Sequence, residues 1–315
     1  MRITFRGVRG SIPTPLTPAA YRERARALIV AARAPRRAAL PPDELLAALP
    51  PGLGDLVGGN TLCFEVRAGK RLIVFDAGTG IRSLGYDLME TEFGRGRGAL
   101  DLFQSHTHWD HMIGFPFFLP AFIMGNSVRI RSPFARLEER YAMLFRPEFF
   151  PVPWKLVRSQ LRFERIAEGK PCVLDDVTVT PRAVPHPGGC YAYRVEHAGK
   201  SFVFATDVEW AARPPRSKRD YDALFRDADL VVFDSAYTEE EAVAKAGWGH
   251  SAPSAAVALA LRAGVKRLAL FHHDPASNDE QIAAIAAAAE AHRRAAAPAS
   301  KLEIAVAREG MVVEL

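Results

Sequence analysis

Cysteine is scarce in this chain: three in 315 residues, at positions 63, 172 and 190. They are odd in number, far apart and without C-x-x-C spacing, so neither a disulfide framework nor a zinc ribbon is expected, and a reducing cytoplasm fits best. Lysine is scarce too. Only eight of the 41 basic residues are Lys, and against 36 acids the net charge is +5. No polybasic tail is present, and an excess of this size names no nucleic-acid partner. Long apolar runs are lacking as well. The longest, residues 112–125 (MIGFPFFLPAFIMG), is interrupted by two prolines and is too short to span a bilayer, so no membrane partner is expected. No apolar stretch follows MRITFRGVRGSIPTP, so a secretory leader is not expected either. With 49% hydrophobic and 24% charged residues, extensive disorder is excluded and a sizeable core is affordable.

What is there is a succession of short β-rich runs, at 2–6, 61–67, 71–76, 100–104, 128–131, 161–166, 177–184, 191–196, 201–206, 230–233, 267–271 and 302–306. They alternate or run continuously apolar between Gly, Pro, Asn and Asp. Helical patterns are expected at 19–34, 134–144, 238–246, 253–263 and 279–297, the last capped by Ser277 or Asn278 and stopped by Pro298. Clustered strands with interspersed helices predict an α/β chain in which two packed sheets are covered outside by helices. Residues 16–55 differ from their surroundings, with six Arg, four acids and paired prolines. They read as a helical insertion in one domain spanning 1–315.

The densest chemical signal is SHTHWDH at 105–111, just past an expected strand, with His106, His108, Asp110 and His111. Imidazole suits Zn, Fe or Mn, and a carboxylate suits the harder end of that series. His106 and His108, two apart on an extended loop end, can point the same way. Asp110 and His111 follow where the chain turns and can face a second ion.

This pattern resembles the His-x-His-x-Asp-His signature of the metallo-β-lactamase-fold hydrolases, and the similarity extends over nearly the whole chain. The Asp-x-Gly-x-Gly element of that superfamily is matched by Asp76-Ala-Gly78-Thr-Gly80. The resemblance implies an αββα sandwich of two mixed sheets with metal ions at the sheet edges. It also implies three further ligands at strand ends: His186 in AVPHPGG, Asp207 in FVFATD and His272 in LALFHHD, with His273 as the competing choice. One ion is then held by His106, His108, His186 and Asp207, the second by Asp110, His111, Asp207 and His272, with a hydroxide bridging them. Two divalent ions are implied, Zn2+ first, with Mn2+ or Fe2+ as alternatives. Asp76 is expected to orient a ligand histidine, or else to be a simple strand-end turn residue. Classical zinc β-lactamases place Cys where this chain has Asp207; Cys190 is the nearest substitute.

Between Asp207 and His272 lies GWGHS at 247–251. It is similar to the Gly-His-Ser/Thr element of the RNase Z-like branch, which includes tRNA 3′ endonucleases and cyclic-nucleotide phosphodiesterases. The resemblance implies that His250 faces the scissile phosphate, with Asp234 orienting it and Asp110 beside it in the catalytic set. The alternative is a plain helix cap by Ser251 ahead of Pro253. Arg6 and Arg9 can donate to phosphate or be surface charges. The aromatic stretch at 115–150 reads as core packing, a dimer contact, or a wall on which a base stacks. The basic segment 213–219 (RPPRSKR) can track a phosphate backbone or be a solvated loop. No Gly- and Lys-rich arm for gripping tRNA is evident. The expectation is a cytoplasmic, homodimeric phosphodiesterase for a small, cyclic nucleotide, similar to bacterial relatives of phage anti-Pycsar enzymes. A tRNA 3′ endonuclease, a thioester or lactone hydrolase and a non-catalytic sensor are the competing readings.

Overall fold

The computed structural model describes residues 1–50, 52–54, 56–210 and 218–315. Numbered in chain order, β1 (Arg2–Gly7), β2 (Cys63–Ala68), β3 (Arg71–Phe75), β4 (Ala99–Phe103), β5 (Ser127–Ser132) and β6 (Gln160–Arg165) form one sheet. A second sheet contains β7 (Cys172–Leu174), β8 (Val177–Val184), β9 (Cys190–His197), β10 (Lys200–Ala205), β11 (Leu230–Asp234), β12 (Arg267–Phe271) and β13 (Glu303–Val306). The last strand, β14 (Val312–Glu314), returns to the first sheet, giving orders β14-β1-β2-β3-β4-β5-β6 and β13-β12-β11-β10-β9-β8-β7. Each sheet is mixed. The runs β3 to β6 and β10 to β13 are parallel, and the remaining pairings are antiparallel.

The central parallel strands are apolar almost throughout, as strands covered on both faces must be: RLIVF in β3, LVVFD in β11 and RLALF in β12 are buried over nearly their whole length. Between the sheets, Phe64 meets Phe204 and Phe271 at ring-centroid distances of 5.1 and 5.2 Å, and Phe75 meets Phe204 at 5.2 Å. Each such ring contributes about 1.5–3 kcal/mol by burial. Outside the first sheet pack α3 (Ile81–Met89) and α4 (Leu137–Met143). Outside the second pack α5 (Lys218–Phe225), α7 (Pro253–Ala263) and α8 (Asp279–Ala296). Asn278, rather than Ser277, caps α8 in a reciprocal box with Gln281. The remaining helices are α1 (Pro18–Ala32), α2 (Pro42–Ala47) and α6 (Glu239–Ala244), which bury no side chain.

Four elements escaped the sequence reading, one of them α5. Gly85, unfavourable in a helix interior, hides α3, whose buried stripe is Ile81, Leu84, Gly85 and Leu88. The three-residue strands β7 and β14 are too short to show a period. The aromatic stretch at 115–150 is largely core: Phe115, Phe118, Tyr141 and Phe145 are buried, whereas Phe117 and Phe149 are exposed. The basic segment expected at 213–219 falls outside the described residues over 213–217. Among the described residues, no helix is long and apolar enough to cross a membrane.

The topology positions the site. The parallel strands of both sheets end at the same edge of the sandwich, and the loops leaving β3, β4, β10 and β12 carry Asp76, 104–111, Asp207 and His272. Carboxyl ends of parallel strands are where α/β sheets present their chemistry.

Candidate metal centre and active site

Three of these strands end in a left-handed turn made by a non-glycine residue: Asp76 at φ 59°, Asp207 at φ 50° and His272 at φ 61°. Each such conformation costs on the order of 1 kcal/mol, and the surrounding structure must over-determine it. The turn throws each side chain off the strand end into one cluster.

Asp207 stands at its centre. Its Oδ2 lies 3.5 Å from His106 Nε2 and 3.6 Å from His186 Nε2, and His186 Nε2 lies 3.2 Å from His108 Nδ1. Its Oδ1 faces the other way, 3.2 Å from His111 Nε2 and 3.1 Å from His272 Nε2. Asp110 Oδ2 completes that side, 3.2 Å from His111 Nε2 and 3.5 Å from His272 Nε2. Ligand atoms held tetrahedrally about one small ion sit about 3.4 Å apart, given ion–ligand distances near 2.1 Å. The donor spacings therefore fit two ions sharing one carboxylate. Burial supports the same fit, since the buried nitrogens His106 Nε2, His111 Nε2 and His272 Nε2 have no hydrogen-bond partner. Buried polar atoms without partners are rare, and a cation satisfies these. The His/Asp cluster is able to bind metal.

The neighbouring residues explain why the imidazoles turn these nitrogens inward. Asp76, fully buried, accepts from Ser105 N at 2.7 Å, Ser105 Oγ at 2.6 Å and His111 Nδ1 at 2.7 Å. His111 is thereby fixed with its bare Nε2 facing the cluster, the arrangement by which a carboxylate orients a ligand histidine. Gln104 ties the loop together, donating to Asp76 Oδ1 at 2.9 Å and to the carbonyls of His106 at 2.6 Å and His111 at 3.0 Å. Tyr141 donates to its side-chain oxygen, and Tyr193 to its carbonyl at 2.6 Å. On the other side, His186 Nδ1 donates to the Gly249 carbonyl at 2.9 Å. The backbone of Ser11 donates to Asp110 Oδ2 at 2.8 Å. Nothing in the sequence marked Gln104, Ser105 or Ser11; their roles come from where β4 and the first loop end.

The electrostatics divide the cluster. Burial works against charge on His111 and His272, but the facing carboxylates outweigh it and hold both well above the usual imidazole range. Burial likewise opposes charge on Asp110 and Asp207, yet the imidazoles beside them hold both well below the usual carboxylate range. His106, His108 and His186 are pushed down, chiefly by burial.

His250 lies over this cluster. Its ring is 4.6 Å from that of His272 and 5.6 Å from that of His186, and its Nδ1 is bonded to Asp234 Oδ2 at 2.7 Å. Burial opposes its protonation, but the Asp234 carboxylate prevails and raises its pKa. Asp234 is itself fixed by the amides of Val208 and Ala236, each at 3.1 Å. A ligand atom of His250 also lies within 4.8 Å of those of Asp207 and His272.

Other expected residues lie elsewhere. His273 is turned away from the cluster, with Nε2 donating to the Ala307 carbonyl at 2.9 Å, and burial pushes its pKa down to about 3. Cys190 donates to the Thr206 carbonyl at 3.5 Å, and burial pushes its thiol up, away from the thiolate that binds metal. Both arginines expected as candidate phosphate donors have partners within the fold. Arg6 is committed to Glu65 and Asp87, each at 2.6 Å. Arg9 is 5% exposed and clamps loop carbonyls, donating to Gly58 at 2.9 Å, Ser277 at 2.7 Å and Asp274 at 3.2 Å. Both guanidiniums hold the fold together.

The first loop runs hard against His272. A Cβ added at Gly10 would lie 2.2 Å from His272 Cε1 and 2.3 Å from Nδ1, and that ring is also stacked on His250 at 4.6 Å. Gly10→Ala is expected to lower metal uptake on the Asp110–His111–His272 side and spare the His106–His108–His186 side. It should also destabilise by about 1–3 kcal/mol, as overpacking does. Metal stoichiometry by mass spectrometry, with thermal unfolding alongside, reads both effects; full uptake would count against this packing.

Comparison with known proteins agrees with the geometry. The family described as beta-lactamase superfamily domain matches residues 71–273. Over 108 residues the chain is 32% identical to ribonuclease Z of Gemmatimonas aurantiaca, a match spanning 34% of this chain and only 30% of that protein. Zn2+-bound PqqB from Methylobacterium extorquens superposes with a TM-score of 0.66 at 15% identity, covering 100% of both chains. Unliganded yeast PDE1 superposes at 0.64 and 14% identity, covering 100% of this chain and 99% of that one. With the family match extending over well more than half of its length, the chain belongs to the beta-lactamase superfamily and has the metallo-β-lactamase fold.

Proposed function

We propose that this chain is a dinuclear-metal phosphodiesterase that cleaves a small, cyclic nucleotide. The observation that carries the reading is the His250–Asp234 pair, 2.7 Å long, set over a cluster with two metal-capable halves. A thioester hydrolase needs no second acid at this position, because a thiolate leaves without protonation. A phosphodiester does, because its leaving oxygen departs as an alkoxide unless protonated.

One ion is assigned to His106, His108, His186 and Asp207, and the other to Asp110, His111, His272 and Asp207. Bound divalent ions, Zn2+ or alternatively Mn2+ or Fe2+, supply Lewis-acid polarisation of the phosphoryl oxygens and lower the pKa of a water. The protein residues do the rest. Asp207 sets the spacing of the two halves, Asp76 holds His111 in register, and Asp234 holds the His250 Nδ1 proton so that Nε2 is left to face the leaving oxygen. Trp109 and Trp248 adjoin His108 and Gly249 in sequence and are 76% and 65% exposed. Such indoles suit a nucleobase, whose stacking contributes about 1–3 kcal/mol.

The similarity to ribonuclease Z favours a second reading, an endonuclease acting on a tRNA 3′ end. Incubating the metal-loaded chain with cyclic mono- and dinucleotides, and separately with precursor tRNA, distinguishes them. Ring opening of a cyclic nucleotide is the expected result. Cleavage of precursor tRNA with every cyclic nucleotide left intact supports the endonuclease instead.

A further inference from the structure

The loop that carries His250 is held by a residue that belongs to none of the metal-capable groups among the described residues. Glu209, two positions after Asp207, is 9% exposed and lends both carboxylate oxygens to backbone amides. Oε1 accepts from Gly247 N at 2.6 Å and Oε2 from Gly249 N at 2.9 Å. Its own amide donates to the Pro185 carbonyl at 2.8 Å, joining it to the segment that carries His186. Ser251 closes the far side: its hydroxyl donates to the Val208 carbonyl and accepts from Trp210 N at 3.1 Å.

The two clamped glycines have φ of 89° and 94°, a conformation in which glycine is free and therefore poorly self-restrained. At Gly249 no other residue fits, because a Cβ would lie 2.2 Å from His186 Nδ1. The loop thus has to be glycine-rich to approach His186, and it needs an external restraint to be rigid. A bidentate, charge-assisted pair of hydrogen bonds from a buried carboxylate provides one. Between the two held amides the chain can only bulge outward, at Trp248, before turning back to His250.

We propose that Glu209 is a positioning residue for the reaction: by pinning Gly247 and Gly249 it fixes His250 over the cluster. The inference rests on the phosphodiesterase reading above. It is tested on the metal-loaded full chain with Glu209→Ala and Glu209→Gln. The readouts are hydrogen exchange at the Gly247 and Gly249 amides, metal stoichiometry, and kcat and KM toward a phosphodiester with an alkoxide leaving group, 3′,5′-cyclic AMP. In Glu209→Ala both amides are expected to exchange faster and kcat to fall about 10- to 100-fold, the range for groups that orient site residues. KM and metal content should stay near wild type. Glu209→Gln, which keeps one acceptor oxygen, should protect one amide and recover part of kcat. Unchanged exchange, unchanged kcat despite faster exchange, or metal loss in proportion to activity each overturns the assignment. A wild-type chain inert toward every phosphodiester overturns the parent reading and this role with it. That outcome is distinct because it is seen before any substitution.

Discussion

Asp207→Ala is expected to strip both halves of the cluster at once. Each carboxylate oxygen serves a different set of imidazoles, Oδ2 for His106 and His186 and Oδ1 for His111 and His272. Asp110, the other carboxylate of the cluster, faces His111 and His272. Removing Asp207 leaves one half with three imidazoles and the other with Asp110 as its remaining carboxylate. Metal stoichiometry should fall on both sides, and hydrolysis by a factor on the order of 10³ or more, because metal polarisation supplies several kcal/mol of transition-state stabilisation. His106→Ala touches one half and should retain metal in the other. Equal metal loss in the two variants would sink the view that Asp207 bridges. The fold should survive at a modest cost, since Ala must still adopt the left-handed φ of 50° that Asp tolerates better, while mutual repulsion with Asp110 is relieved.

His250→Ala should divide the chemistry from the metal. With general acid catalysis contributing about 10²- to 10⁴-fold, kcat toward a phosphodiester with an alkoxide leaving group should drop by that range while metal content stays constant. A phosphodiester with a good leaving group, such as p-nitrophenolate, should lose far less, because it needs no proton. Asp234→Asn keeps the ring contact and removes the charge that favours the imidazolium, so it should show the same leaving-group dependence in milder form. The competing role for His250 is as a ligand, since its donor atom lies within 4.8 Å of those of Asp207 and His272. Metal loss in His250→Ala, with equal damage to both leaving-group classes, would decide for that role.

Much of this arrangement was legible in the sequence because its parts are local. His106, His108, Asp110 and His111 fall within six consecutive positions, and each remaining member of the cluster stands at the end of an apolar run that reads as a strand. The contrast between His272 and His273 shows where local reading stops. Adjacent residues at a strand end point to opposite sides, and the outcome turns on a left-handed φ of 61° at His272 that no periodicity reveals. Arg6 and Arg9 mark the same limit. A guanidinium near a glycine-containing loop suggests phosphate, but its partners, Glu65 and Asp87 for one and the carbonyls of Gly58, Asp274 and Ser277 for the other, are brought to it from distant parts of the chain. Glu209 carried no motif at all. Its importance lies in two amides 38 and 40 residues away.

By itself, then, the sequence determined the strand-rich α/β architecture and the donor cluster at 106–111, while the family resemblance pointed to the more distant donors. Apolar periodicity and donor spacing are short-range properties, written within a few residues of each other. The tertiary structure alone decided that the parallel strands of both sheets end at one edge. It also decided that Asp207 turns one oxygen to each half, and that a buried carboxylate pins the loop under His250. These depend on which backbone and side-chain groups meet across the sandwich, and packing two sheets face to face is what brings them within hydrogen-bonding distance.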